Sequence, residues 1–219
     1  MVLLSQEIYQ ETREIVIGQR AKSQLLVELS DWFMDKYSVQ IINFLFDKVP
    51  GPNSKRYRLY VIIENEADKK KLQPDIFHPI EKYQKQIAKK FQQLALKYKF
   101  IDKAKLKDLF VAFNDYSDEA KTMANWKAIE EAKEKIERKY SSVWGLLAMF
   151  SSTVVFYFSD SQIQENDENG LSEKIKNDYY EILKKYDEMD YYTIENFVIK
   201  FDSKENLDKN YEGNLYYYA

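Results

Sequence analysis

One segment of the chain carries a helical and then a strand pattern: IEKYQKQIAKKFQQLALKYKFIDKAKLKDLFVAF, residues 80–113. Its first part has apolar side chains at three- and four-residue spacing, which predicts an amphipathic helix over residues 80–99. The following stretch, residues 106–114, mixes alternation with a short apolar run, which predicts a strand. A helix followed by a strand is therefore the unit from which the rest of the chain is interpreted.

The same helix-then-strand pattern recurs 88 residues later. The recurring helix positions are Tyr83, Ile87, Phe91, Leu94 and Tyr98, which become Leu171, Ile175, Tyr179, Ile182 and Tyr186. The recurring strand positions are Leu106, Leu109, Phe110, Val111 and Phe113, which become Ile194, Phe197, Val198, Ile199 and Phe201. This recurrence favours an internal duplication. Two unrelated helix–strand units of similar length are the alternative.

The flanking sequence extends each unit to the order helix, strand, strand, helix, strand. In the first half we predict a helix over 6–37 interrupted near Gly18, strands over 39–49 and 57–64, the turn 50–54, and a polar connection through Pro74 and Pro79. In the second half we predict a helix over 117–140, strands over 143–150 and 153–159, a loop at 166–170, a helix over 171–186, a strand over 193–201 and a helical turn near 204–208.

These elements predict an α+β fold made of two tandem helix-strand-strand-helix-strand units, with mixed or mainly antiparallel sheet covered by helices. We expect a single compact domain of two similar halves, residues 19–115 and 116–219, preceded by a helical segment, residues 1–18. Whether the two units share one sheet or form two small sheets stays open.

The composition of the 219 residues argues against several kinds of active site. Cysteine is absent, which removes disulfides, thiolate nucleophiles and cysteine-ligated metals. The five glycines form no phosphate-binding loop, and two segments resembling calcium loops, at Glu165 and Asp208, lack the glutamate at position twelve. We interpret the single histidine, His78, as a loop residue. We therefore predict no catalytic, cofactor-binding or metal-ligating residue and no cofactor.

Charge and hydropathy limit which classes of partner (membrane, nucleic acid or protein) are expected. The uncharged stretch 140–159 is long enough for a membrane helix, but its serines and β-branched residues favour two buried strands, so we expect no membrane partner and a cytoplasmic location. The net charge of −3 argues against nucleic acid. Residues 67–158 carry 18 Lys/Arg against 12 Asp/Glu, whereas residues 159–219 carry 7 against 15, so the last part of the chain is acidic.

The chain is rich in tyrosine: it contains 18, and many of them lie in this acidic last part. Tyrosine combines buried apolar area with a polar tip, which suits both a half-exposed sheet and an interface. The predicted partner surface consists of Tyr191, Tyr192, Glu195, Glu205, Asp208, Tyr211, Glu212, Tyr216, Tyr217 and Tyr218.

The leading hypothesis is therefore a non-enzymatic protein-binding module that presents this surface to a basic protein partner, of which an immunity-type inhibitor would be one form. One alternative is an enzyme that uses Asp and Glu residues in a cleft between the two halves. The other is a self-associating structural protein in which the tyrosines form a homodimer interface.

Overall fold

The structure, a computed structural model, describes residues 4–49, 54, 56–75 and 79–218. His78 and all but Ser54 of the predicted turn 50–54 lie outside the described residues. The chain divides into two compact units, Met1–Ser117 and Asp118–Ala219.

The first unit contains four helices, a 3-10 turn and three strands among its described residues. They are α1 (Gln6–Val16), α2 (Gln24–Tyr37), β1 (Ile41–Lys48), β2 (Tyr57–Ile63), α3 (Glu66–Leu72), α4 (Glu81–Lys97), the 3-10 turn (Lys103–Leu106) and β3 (Phe110–Asp115). The long helix that follows begins at the last two residues of this unit. The elements of the second unit are α5 (Tyr116–Lys139), β4 (Val143–Met149), β5 (Ser152–Tyr157), α6 (Asp160–Glu168), α7 (Leu171–Lys184), β6 (Val198–Ser203), α8 (Lys204–Tyr211) and α9 (Leu215–Tyr218).

Each unit has its own three-stranded mixed sheet. The strand order is β1-β2-β3 in the first unit and β4-β5-β6 in the second. In both sheets the first two strands form an antiparallel hairpin, and the third strand joins parallel to the second. A parallel neighbour needs a crossover connection, which α3–α4 and α6–α7 provide. The predicted α+β class is confirmed, and the described strands form two sheets rather than one.

The predicted interruption near Gly18 separates α1 from α2, because Gly18 has a φ of +74° and the Ser23 side chain caps α2. Three other predicted segments differ from the structure, and local hydrogen bonds explain each difference. The predicted polar connection contains α3, which the Asn65 side chain caps at the backbone N–H of Asp68 (2.9 Å). The last strand begins at Val198 rather than at residue 193, because Thr193 and Asn196 close a turn before it.

The third difference is α6, which occupies part of the predicted loop 166–170. The side-chain oxygen of Gln162 accepts the backbone N–H groups of Phe158 (2.9 Å) and Ser159 (3.1 Å), which satisfies two backbone donors just before the first turn of this helix. Gly170, with a φ of +76°, separates α6 from α7. The asparagines and the glycine that indicated a loop therefore end one helix and start the next.

The core of the first unit lies between one face of its sheet and the helices α2 and α4. Leu29 and Phe33 of α2, Leu59 and Val61 of β2, and Phe91 of α4 are fully buried there. Because alternate residues of a strand point to opposite faces, the strand contributes every second side chain to this core. Burial of each such side chain contributes about 1.5–3 kcal/mol of transfer free energy.

The sheet of the second unit is covered on both faces. Val155 and Tyr157 of β5 pack into a core formed with α5 and α7. Their neighbours on the strand, Val154 and Phe156, form a second cluster with Leu207 of α8, against which α9 also packs. The continuous apolar run in β5 thus reflects a strand that is buried on both sides.

The two units share further details beyond strand order. Each hairpin has one register irregularity in its first strand, between Ile41 and Asn43 and between Val143 and Gly145. Each unit therefore has the same topology with a bulge at the same point of its sheet. A common origin of the two units by duplication stays a prediction.

A charged clasp also recurs in the two units. In the first, Glu28 of α2 accepts hydrogen bonds from Lys97 and Tyr98 at the end of α4. In the second, Glu131 of α5 accepts hydrogen bonds from Lys185 Nζ (2.5 Å) and Tyr186 Oη (2.9 Å), which follow α7. These hydrogen bonds hold the pKa of Glu28 below its usual value, and together with one from Lys135 they lower the pKa of Glu131 to about 2. The clasp identifies equivalent positions on α2 and α5.

Candidate functional site

The acidic, tyrosine-rich end of the chain is held on the second face of the second unit's sheet. Ser203 caps α8, its side chain accepting the backbone N–H of Asn206 (2.8 Å). Leu207, one turn into the helix, is fully buried against β5. The sequence Ser203-Lys204-Glu205 thus starts the helix, and Leu207 together with the partly buried Tyr211 packs it on the sheet.

Tyr218 anchors the last helix, α9. Its ring packs edge-on against Phe156 (centroids 5.0 Å apart) and Tyr211 (4.9 Å). Its hydroxyl donates a hydrogen bond to Asp202 Oδ2 (2.5 Å). Partial burial, together with this carboxylate, raises the pKa of Tyr218, so the hydroxyl keeps the proton that it donates. α9 has one turn and is held in place by this residue and Leu215.

The anchoring of Tyr218 leaves the two preceding tyrosines on the outside. Tyr216 is 84% exposed and Tyr217 is 59% exposed, and their ring centroids lie 6.2 Å apart. Tyrosine is among the residues that dominate binding energy at interfaces, because it buries a large ring with few rotatable bonds. Two adjacent exposed tyrosines on an anchored segment are therefore a candidate contact point.

Exposed carboxylates lie on α8, which packs beside α9, and on α6, which contacts α8. Glu205, Asp208 and Glu212 are all exposed, and Asp208 is paired with Lys204. The helices α6 and α8 are joined because the backbone N–H of Asp160 donates to Glu205 Oε2 (3.1 Å). α6 adds four exposed acids and contains no Lys or Arg: Asp160, Glu165, Asp167 and Glu168.

We name these elements together the C-terminal surface: residues 159–169 and 202–218, which comprise α6, α8, α9 and their caps. They carry eight Asp/Glu against two Lys, a net charge of −6. The whole of residues 159–219 has a net charge of −8, so most of the excess negative charge lies in these segments. Such a patch favours the approach of a positively charged partner.

The predicted partner residues fall into two groups. Glu205, Asp208, Tyr211, Glu212 and Tyr216–Tyr218 belong to the C-terminal surface. Tyr191, Tyr192 and Glu195 lie in the connection between α7 and β6. The described hydrogen bonds of this second group run to α5, α7 and the β4–β5 turn, and also to other residues of the connection itself.

Tyr192 is a core residue of the second unit rather than a surface one, since it is 1% exposed. Its hydroxyl donates to the carbonyl oxygens of Ser151 (2.8 Å) and Lys121 (3.1 Å), and burial raises its pKa. The backbone N–H of Tyr191 donates to Asp187 Oδ1 (3.1 Å). Glu195 is exposed, and a hydrogen bond from Thr193 lowers its pKa. Tyr192 therefore contributes to the core, and the Asp187 carboxylate holds the backbone of both tyrosines.

Sequence reasoning did not include the acids of α6 in the site. The signal was present: Ser159 followed three residues later by Gln162 is a helix-start pattern, and the nine residues of α6 contain four acids and no base. The predicted loop covers only residues 166–170, where Asn166, Asn169 and Gly170 are of types frequent in turns, and residues 160–165 carry no predicted element. Acidic residues of α6 come next to those of α8 only through the fold.

The described residues also bear on two other kinds of site, a metal centre and a membrane span. Among them, no three His, Asp or Glu side chains are grouped closely enough to hold a metal ion. No helix in the described part of the chain is both long and apolar enough to cross a membrane. The uncharged stretch 140–159 contains the hairpin strands β4 and β5, as its serines and β-branched residues indicated.

Comparison with known proteins found no family model that matches the chain, and neither a curated protein nor a solved structure that is detectably similar to it.

Proposed function

We propose that the chain is a non-enzymatic protein-binding module that presents the C-terminal surface to a basic protein partner. An inhibitor of the immunity type, whose acidic face covers a basic active site, is one form of this function. The observation that carries the proposal is the exposure of Tyr216 and Tyr217 on a segment that Tyr218 anchors to the sheet.

The anchoring matters because affinity depends on how much conformational freedom is lost on binding. A free terminal segment would have to be immobilised by its partner, at about 0.5–1.5 kcal/mol for each flexible side chain. Here the backbone of α9 is already held by Tyr218 and Leu215, which pack on the sheet. The two exposed rings are therefore displayed before the partner arrives.

The charge of the surface supports a basic partner. A net charge of −6 over residues 159–169 and 202–218 would steer a cationic protein toward the tyrosine pair and would repel an acidic one. Exposed charges are screened within about 8 Å at physiological ionic strength, so the association rate should fall as salt is added. Burial of the tyrosine rings is less sensitive to salt and would persist.

The test is affinity capture of the immobilised chain from its host lysate at low and moderate salt, with mass spectrometry of what is retained. The proposal predicts one basic protein in near-stoichiometric amount. The double variant Tyr216→Ala/Tyr217→Ala should lower its capture at least tenfold. Trp126→Ala, which removes another exposed aromatic ring of the second unit, is the matched control and should leave capture unchanged.

Charge reversal separates the C-terminal surface from the rest of the acidic part of the chain. Glu165→Lys and Glu212→Lys should weaken binding of the captured protein and reduce its salt dependence. Glu195→Lys makes the same charge change in the α7–β6 connection and should have the smaller effect. Equal effects of all three would mean that overall charge, and not this surface, is recognised. Absence of any partner at both salts contradicts the proposal.

Self-association is the second candidate, because a second copy could also cover the exposed Tyr216 and Tyr217. Light scattering distinguishes the two. A monomer over a wide concentration range supports a foreign partner, whereas a dimer that the double tyrosine variant dissociates assigns the same pair of rings to a homodimer.

A further inference from the structure

A groove on the second unit lies between α5 and the C-terminal half of α7, and it has a volume of about 470 Å³. Its apolar floor contains Ile136 and Ile182. The aliphatic stems of Lys135, Arg138, Lys139 and Lys185 extend the apolar lining, and their charged ends form the rim. Asp178 and Glu181 also line it. Its volume is within the range of small-molecule sites, about 300–1,000 Å³.

The first unit shows which side chain occupies the equivalent position there. The clasp makes Glu131 the counterpart of Glu28, so Lys135, one turn later, is the counterpart of Trp32. Trp32 is partly buried against the core of the first unit, with its ring edge-on to Phe33 (5.5 Å) and Tyr37 (5.4 Å). The first unit thus fills this position with a planar aromatic ring.

In the second unit the replacement of the indole by lysine leaves the position open. Lys135 Nζ lies 2.6 Å from Glu131 Oε1, so the side chain is directed to the clasp. Ile136 takes the place of Phe33, which further reduces the volume filled by side chains. The missing volume is that of aromatic rings, and this indicates the shape of group that would fit.

The rim favours a negative charge on that group. Lys135 and Lys185 share one carboxylate, Glu131, so the pair carries more positive charge than that acid neutralises. Lys139 is paired with Asp178, and the exposed Arg138 is paired with Glu134 (2.9 Å). Counted with these partner acids, the four lining cations are balanced overall, so the positive excess is local to the two lysines that share Glu131. An anion near Lys135 and Lys185 would relieve the repulsion between the two lysines.

We propose that the α5–α7 groove binds a small planar aromatic anion, with its ring on Ile136 and Ile182 and its acidic group at Lys135 and Lys185. This site is separate from the C-terminal surface, so its test does not depend on the proposed function. The ring would also lie close to the rim cations, an arrangement that adds cation–π attraction.

The test uses 8-anilinonaphthalene-1-sulfonate as the aromatic anion, titrated by fluorescence and by calorimetry against the folded full chain. The expected result is saturable binding at one site per chain. Its neutral relative N-phenyl-1-naphthylamine should bind at least tenfold more weakly, because it lacks the charge. Failure of the sulfonate to bind, or equal binding of the neutral compound, overturns the proposal.

The decisive variant introduces the tryptophan of the first unit at the equivalent position of the second unit. Lys135→Trp should fill the groove and weaken sulfonate binding at least tenfold. Lys133→Trp makes the same substitution two residues earlier, outside the groove lining, on a lysine that is likewise paired with a glutamate, Glu130, and should leave binding within twofold. Equal binding by wild type and Lys135→Trp would place the dye elsewhere and contradict the assignment.

Circular dichroism would detect misfolding of Lys135→Trp. A second variant tests the groove in that case. Arg138→Gln removes a rim charge from a side chain that is mostly exposed, so the fold should be unaffected and binding should weaken about threefold. Unchanged binding by Arg138→Gln together with unchanged binding by Lys135→Trp would exclude the groove.

Discussion

Each unit has its own sheet of the same topology. The second face of the sheet is covered by α1 in the first unit and by α8 and α9 in the second. In the first unit α1 packs on β1, where Asn43 Nδ2 donates to Thr12 Oγ1 (3.1 Å). In the second unit α8 and α9 pack on Val154 and Phe156. A three-stranded sheet with two apolar faces is stable only if both faces are covered. In each unit the second face is covered by helical structure that is not part of the repeated helix-strand-strand-helix-strand order. The cover of the second unit also displays two tyrosines.

A second difference lies in the helix that packs on the first face. α2 buries Leu25, Leu26, Leu29 and Phe33, whereas the equivalent residues of α5 are Ala128, Ile129, Ala132 and Ile136. The first unit therefore fills its helix–sheet interface with large side chains and the second with smaller ones. The comparison indicates that the shared part of the two units is structural, and that the candidate binding features lie where they differ.

The largest expected effect tests this difference in core packing. Phe33→Ala removes a fully buried ring and should lower the free energy of unfolding by about 3–5 kcal/mol. Ile136→Val at the equivalent position should cost only about 0.5–1.5 kcal/mol. Urea unfolding of both variants measures the two values, with hydrogen exchange assigning each loss to a unit. Similar values for both variants would show that the two helix positions contribute equally, and would contradict the difference in packing.

The next effect concerns a buried polar network in the second unit. The side-chain amide of Asn125 donates to the carbonyl oxygens of Phe150 (2.9 Å) and Ser152 (2.8 Å) and accepts from Thr153 and from Tyr179 Oη (2.7 Å). Asn125→Ala should cost about 2–3 kcal/mol because it leaves buried groups unsatisfied.

Tyr179→Phe is the matched test of the same network. It removes one hydroxyl donor and leaves the ring in place, so we expect a cost of about 1 kcal/mol. Burial raises the pKa of Tyr179 to about 12, which keeps the hydroxyl protonated in neutral solution. Equal costs for Asn125→Ala and Tyr179→Phe would mean that the amide's contacts with the β4–β5 turn contribute nothing.

The smallest expected effect compares the two clasps in acid. The hydrogen bond from Lys135, with those from Lys185 and Tyr186, lowers the pKa of Glu131 from its usual value of 4.5 to about 2. A carboxylate with a lowered folded-state pKa stabilises the fold above its unfolded pKa, and this contribution is lost as pH falls. The second unit should therefore lose stability between about pH 4.5 and pH 2 through this group.

Glu131→Gln should flatten that part of the pH profile, and Glu28→Gln should do the same in the first unit, where the pKa of Glu28 is lowered mainly by the hydrogen bond from Lys97. Urea unfolding at pH 5 and pH 3 checks both. A profile that Glu131→Gln leaves unchanged would show that the clasp does not contribute to acid stability.

The sequence predicted the parts of the fold that have strong periodicity. The helix α4, the hairpin strands and the mixed class follow from apolar spacing and from the need for a crossover. The beginning of β6 was misplaced because Val198 is 50% exposed and Phe197 packs into the core ahead of the strand, so the apolar run does not coincide with the sheet.

The equivalence of the two units was only partly visible in the sequence because their connections differ in length. The offset is 88 residues at Tyr98 and Tyr186 but 103 at Glu28 and Glu131. One fixed offset therefore finds the helix–strand part and misses the first helices. Only the contacts of the clasp identify Lys135 as the counterpart of Trp32. Only the packing of α6 on α8 brings the acids of these two helices together.

The most direct test of this account asks which unit the partner binds. Capture from host lysate would compare the wild type with Tyr216→Ala/Tyr217→Ala and with Met34→Ser/Leu96→Ser, which removes two apolar side chains of the first unit that are each 46% exposed. The account predicts that the same basic protein is retained by the wild type and by the first-unit variant, and that the tyrosine variant loses it. Retention by the tyrosine variant with loss by the first-unit variant would contradict the account.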